Sequence, residues 1–157
     1  MKSNLKVFIV EDDPFFGALV KERLLNDGYN SPQLISTSSQ FLDRLLEMPD
    51  VVILDFNLDK LNGIDLLRKI KSVSPNIQVI FLSAQADMSI AVNTLKYGAY
   101  DYIEKNESSL NKLLIILDRI QETNHYIKRN LALSKFKKMT IAIGAVAIIG
   151  ALIFTLV

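Results

Sequence analysis

The chain has no cysteine, which excludes disulfides and thiolate zinc sites. No acidic residue occurs after Glu122: residues 1–122 carry 13 Lys/Arg against all 17 Asp/Glu, and residues 123–157 carry the other five basic residues. The globular part is therefore acidic, which argues against non-specific nucleic-acid binding. No proline or glycine falls between Leu110 and Lys138, so nothing there breaks a helix. The only histidine, His125, lies in that stretch, away from the other candidate residues, and reads as a surface residue. Near the N-terminus, Val7–Val10 is too short for the apolar core of a signal peptide and Glu11–Asp13 follows at once.

At 157 residues there is room for one domain with a proper core and little else. Four short apolar runs each lead into a polar residue. Val7–Val10 runs into Glu11, Asp12 and Asp13; Val51–Leu54 into Asp55; Val79–Leu82 into Ser83; and Tyr102–Ile103 leads through Glu104 to Lys105. Helix-like segments separate them, so they read as parallel strands buried on both faces. With a weak strand at Ser31–Ile35, five strands alternate with five helices. The expected fold is α/β, flavodoxin-like and doubly wound, with a five-stranded parallel sheet. Expected caps are Ser38 or Ser39, Asn62, Asp87, and Ser108 or Ser109, and Leu19, Leu24 and Leu25 are expected to face inward from the first helix.

The carboxyl ends of parallel strands form one edge, where these polar residues converge. Asp55 ends the most apolar strand, and a carboxylate there can accept a phosphoryl group as an acyl phosphate. Charge on the phosphoryl oxygens must then be neutralised. Asp12, Asp13 and Asp55 supply hard oxygen ligands suited to Mg²⁺. Lys105 is placed to hold a phosphoryl oxygen as a point charge, and Ser83 to meet another. Singly, each residue has an ordinary structural use as a cap, a turn residue or a solvated charge. On strand ends in this order, together, they point to phosphoryl chemistry.

Residues 3 to about 122 resemble the receiver domain of two-component response regulators, the CheY-like fold with strand order 2-1-3-4-5. The resemblance implies Asp12 and Asp13 as the acidic metal pair, Asp55 as phosphoacceptor, Ser83 as the hydroxyl switch residue and Lys105 as the phosphate-pairing lysine. The segment DFNLDKLNG, Asp55 to Gly63, has the family's spacing from phosphoacceptor to glycine, and Asn57 falls where the family offers a backbone carbonyl to Mg²⁺. The segment GAYDYIEK, Gly98 to Lys105, carries the aromatic switch at Tyr102. Two positions depart from the family: Asn106 stands where proline usually follows the lysine through a cis bond, and Asp59 stands where the next loop usually has proline. A cis bond to Asn costs about 3–4 kcal/mol, so a trans bond is expected. Haloacid-dehalogenase-like phosphatases need a second aspartate two residues after the first, where this chain has Asn57.

The C-terminal part predicts something else. Met139–Val157 is a 19-residue stretch without a charge, with Thr140 and Thr155 its only polar side chains. As a helix it spans about 28 Å, close to a bilayer's hydrocarbon thickness. Lys135, Lys137 and Lys138 precede it. The expectation is a receiver domain over 1–122, a basic helical linker over 123–138 and a transmembrane tail anchor over 139–157, with the receiver on the cytoplasmic side of the inner membrane. Leu110, Leu113, Leu117, Ile120, Asn124, Ile127, Leu131 and Ser134 recur at alternating spacings of three and four, a heptad seam through which two copies can pair. The functional expectation is a membrane-anchored response regulator without a separate enzyme domain. A histidine kinase or phosphotransfer protein phosphorylates it on Asp55 with Mg²⁺, and it acts through protein contacts. A phosphorylation-independent scaffold and a phosphate sink are the alternatives.

Overall fold

The computed structural model describes residues 5–58 and 62–156, with backbone alone at 132, 135, 136 and from 138 onward. Two compact units are distinguished, Met1–Asp118 and Arg119–Val157. The first is built from β1 (Val7–Val10), α1 (Pro14–Asn26), β2 (Gln33–Ile35), α2 (Ser38–Arg44), β3 (Val51–Leu54), α3 (Gly63–Val73), β4 (Gln78–Ser83), α4 (Met88–Lys96), β5 (Asp101–Glu104) and the opening turns of α5 (Ser109–Leu156).

All strand pairings are parallel and the order is β2-β1-β3-β4-β5, as expected. The central strands β1 and β3 are buried at every position, which is why they read as continuous apolar runs. Side chains alternate across the sheet. Phe8, Val10, Val52, Leu54, Val79 and Phe81 join Phe41 of α2 and Leu66, Leu67 and Ile70 of α3 in one buried cluster. Val20 and Leu24 of α1 and Leu113 and Leu117 of α5 are buried on the other helical layer.

Capping fixes where the helices start. The Asp13 side chain accepts from Phe15 N and Phe16 N, with Pro14 at the first helical position. Asn62 caps α3 and Asp87 caps α4, as expected. Thr37, not Ser38 or Ser39, caps α2, accepting from Gln40 N. Gly28 and Gly98 adopt positive φ (91° and 94°) just past α1 and α4, the left-handed C-terminal turn that glycine adopts without a Cβ clash. On α1 only Leu24 of the three leucines faces inward. Gly17, Val20 and Leu24 form the buried stripe, and Leu19 (42%) and Leu25 (47%) are exposed.

The α5 backbone is helical to Leu156. The side chains of the uncharged stretch 139–157 lie outside the described residues. Among the described residues no helix is long and apolar enough to cross a membrane, so the anchor stays a reading of sequence alone. In the second unit, Ile127 and Leu131 are more than half exposed and His125 is exposed.

Gly63 starts α3 where a side chain has no room. A Cβ there would lie 2.8 Å from a Phe81 ring carbon and 3.0 Å from the Phe56 carbonyl oxygen. Gly63→Ala is expected to destabilise the fold by about 1–3 kcal/mol, read as a lower urea midpoint at unchanged slope. A midpoint equal to wild type contradicts this packing.

Candidate functional site

The register of the sheet assembles the site. Val10 of β1 lies beside Leu54 of β3, so Glu11 and Asp55, each one residue further on, are neighbours. Asp55 N donates to Val10 O (2.9 Å), tying the ends of β3 and β1, and Lys105 N donates to Ser83 O (2.7 Å), tying the ends of β5 and β4. Glu11, Asp12 and Asp55 each place a carboxylate oxygen within 4.8 Å of the others. The Lys105 ammonium donates to Glu11 Oε1 (2.9 Å) and lies 2.8 Å from Glu11 Oε2, but is 3.6 Å from Asp55 Oδ1. It also stands 4.4 Å above the Phe16 ring centroid.

Asp13 is not in this cluster. One oxygen of its carboxylate caps α1, and the carboxylate that lies with those of Asp12 and Asp55 is that of Glu11. The sequence carried both clues. Proline directly after Asp13 marks a helix cap, and Glu11 directly follows the apolar run just as Asp55 does.

Ser83 is fully buried and its Oγ accepts from Gln85 N (3.2 Å). Tyr102 is half-buried and its hydroxyl donates to Gln85 O (2.7 Å). The Gln85 side-chain amide reaches Asn57 Oδ1 at 3.5 Å, while its Oε1 is buried without a partner among the described residues. Gln85 thus ties Tyr102 to the residue after next from Asp55, a link that sequence spacing did not flag. Phe56, Phe81 and Tyr102 form an aromatic row beneath it, with centroid separations of 5.9 and 6.2 Å. Asn57 pairs with Asn62 in an isolated bridge at the end of the loop. Asp59 lies outside the described residues.

The described residues contain no cis peptide bond. Asn106 instead shapes the turn into α5. Its Oδ1 accepts from Ser108 N (3.0 Å), and its carbonyl accepts from Ser109 N (3.1 Å) and the Ser109 hydroxyl (2.8 Å).

Burial sets the electrostatics. It pushes the Asp55 carboxyl above its usual range, against the pull of Lys105 and the Phe56 N–H, with the Asp12 charge adding to the rise. It also raises Glu11, against the hydrogen bond from Lys105. Carboxylates crowded in this way form a hard, oxygen-only donor set that a small divalent cation such as Mg²⁺ satisfies.

The family model of the response regulator receiver domain matches residues 7–118. This chain belongs to that family. An NtrX-like response regulator of Rickettsia felis is 36% identical over 150 residues, covering 93% of this chain and 31% of its own length. The chemotaxis protein CheY of Thermotoga maritima is 29% identical over 101 residues, 64% of this chain and 84% of its own. A response regulator receiver domain from Clostridium thermocellum superposes with a TM-score of 0.71 at 29% identity, covering 78% of this chain and 98% of that one. The chain spans less than a third of the length of the NtrX-like relatives. Receiver domains are signalling domains that bind Mg²⁺ through acidic residues and meet histidine kinases or phosphotransfer proteins, and the Glu11, Asp12 and Asp55 cluster fits that cation.

Raised carboxyls make the metal-free fold lose stability as pH climbs. Between the unfolded and folded titration ranges the native chain keeps protons that the unfolded chain has lost. Asp55→Asn removes one such penalty. In EDTA the variant is expected to have a higher urea midpoint than wild type at pH 7, and the difference should close as pH falls below the ordinary Asp range. A variant less stable than wild type at pH 7 contradicts this account.

Proposed function

We propose that this receiver accepts a phosphoryl group on Asp55 from a phosphohistidine of a histidine kinase or phosphotransfer protein, with Mg²⁺, and acts through protein contacts. The observation that carries the reading is the convergence of Asp55, Glu11, Asp12, Lys105 and Ser83 at adjoining strand ends. An Asp55 carboxylate oxygen attacks phosphorus, a P–O bond forms and the P–N bond breaks, and the departing imidazole takes a proton. Glu11, Asp12 and Asp55, with the Asn57 carbonyl, would hold the cation, whose charge offsets that of the phosphoryl oxygens. Lys105 holds one phosphoryl oxygen as a point charge, and the Ser83 hydroxyl meets another. Drawing Ser83 toward the phosphoryl group breaks its bond with Gln85 N and loosens the segment that holds the Tyr102 hydroxyl.

Residues 139–157 belong to the same proposal. Their uncharged length and the lysines before them support a membrane-spanning helix, with the receiver at the cytoplasmic face. Exposed Ile127 and Leu131 are where a second copy would pair.

Incubation with a small phosphodonor and Mg²⁺ should label the wild-type chain and leave Asp55→Asn at background. Chelating Mg²⁺ should slow labelling by about two orders of magnitude, the usual cost of losing one such charge-stabilising group. Equal labelling of Asp55→Asn contradicts the proposal. Deleting 139–157 should move the chain from the membrane pellet to the supernatant. Continued pelleting contradicts the membrane span.

A further inference from the structure

Among the asparagines of the chain only Asn62 is followed by glycine. Glycine puts no side chain between the next backbone nitrogen and the asparagine amide carbon, so this dipeptide cyclises more easily than any other asparagine pair. Here packing imposes it. Position 62 caps α3, its Oδ1 accepting from Ile64 N at 2.9 Å. Position 63 has no room for a Cβ, which would lie 2.8 Å from a Phe81 ring carbon and 3.0 Å from the Phe56 carbonyl oxygen. The same contacts hold the reacting atoms apart. The Gly63 N–H donates to Phe56 O (3.2 Å), and the cap bond fixes the Asn62 side chain. Asn62 also lies in extended backbone (φ −62°, ψ 136°), out of which it must turn before its Cγ meets the Gly63 nitrogen. It is exposed, so water reaches it.

We propose that Asn62–Gly63 is a site of spontaneous deamidation gated by the α3 cap, so that the chain is marked irreversibly in proportion to the time α3 spends uncapped. The Gly63 nitrogen gives up its proton and bonds to Asn62 Cγ, and the side-chain amide leaves with that proton as ammonia. Water then opens the succinimide. Breaking the ring bond to Cγ leaves aspartate, and breaking the bond to the main-chain carbonyl carbon leaves isoaspartate. The two products treat α3 differently. Aspartate still caps, and its charge suits a helix N-terminus. Isoaspartate puts an extra carbon into the backbone directly before Gly63, where Phe81 and Phe56 leave no room. The helix start is then lost, along with the bridge between Asn57 and Asn62. The reaction consumes only water and is independent of what Asp55 accepts.

The test ages the full chain in buffer and in urea above its midpoint, and follows each asparagine by peptide mass spectrometry. In urea Asn62 should react before every other asparagine. In buffer it should react at least about tenfold more slowly than in urea, the effect of keeping one hydrogen bond closed. Amide exchange and cyclisation both begin with loss of the Gly63 proton, so the slowing should be no less than the hydrogen-exchange protection of that amide. Chains aged in urea are then refolded and separated by product. The isoaspartyl form should have a lower urea midpoint than Asn62→Asp, which should match wild type. Asn62 reacting no faster than the other asparagines in urea overturns the site. A rate in buffer equal to that in urea, or a slowing smaller than the exchange protection of Gly63, overturns the gate. An isoaspartyl form as stable as Asn62→Asp overturns the loss of the helix start.

Discussion

Among the described residues, two buried carboxylates and the exposed one of Asp12 share one sheet edge with a single close ammonium, and the rest of the site is arranged around that imbalance. Parallel pairing of β1 with β3 makes the crowding unavoidable, because Glu11 and Asp55 leave adjoining strands at the same level. Burial disfavours the charged forms of both, and Lys105 offsets part of that. A folded state that tolerates such a cost at one edge is poised to bind whatever brings positive charge there. The ordinary fold features serve this placement. Pro14 and Asp13 start α1 just past the carboxylates, Gly63 lets α3 begin against Phe56, and Asn106 turns the chain directly after Lys105.

The site connects to the surface through a short, specific set of contacts. Asp55 is followed by Phe56, whose ring meets Phe81, whose ring meets Tyr102. Above that row Gln85 receives the Tyr102 hydroxyl and reaches toward Asn57. The segment after β4 is thus tied to Ser83 at its base, to β5 through Tyr102 and to the loop after β3 through Asn57. Ser83 therefore sits at the base of a segment that has partners on both sides.

The sheet was legible in the sequence because both faces of the central strands are covered. Continuous apolar runs in β1, β3 and β4 leave few other readings, and the polar residues at their ends, with Lys105 after β5, are the ones the register brings together. Adjacency in sequence makes Asp12 and Asp13 a pair, whereas the register of β1 and β3 sets Glu11 beside Asp55 and Asp13 caps α1. Leucine content misled in the same way on α1, where the small Gly17, not Leu19 or Leu25, completes the buried stripe with Val20 and Leu24. Phe16 and Gln85 carry no motif, and their contacts exist only once distant segments are brought together. The 139–157 segment is a different case, since its reading comes from composition and length alone.

Under the proposed function, phosphoryl transfer falls to one carboxylate among several neighbours. Treating the full chain with a phosphodonor and Mg²⁺, reducing the product with borohydride and mapping the peptides by tandem mass spectrometry tests that choice directly. Reduction of an aspartyl phosphate gives homoserine. Homoserine is expected at position 55, with Asp12 and Asp13 unchanged; homoserine at either of those positions, or at none, overturns the assignment of Asp55 as acceptor.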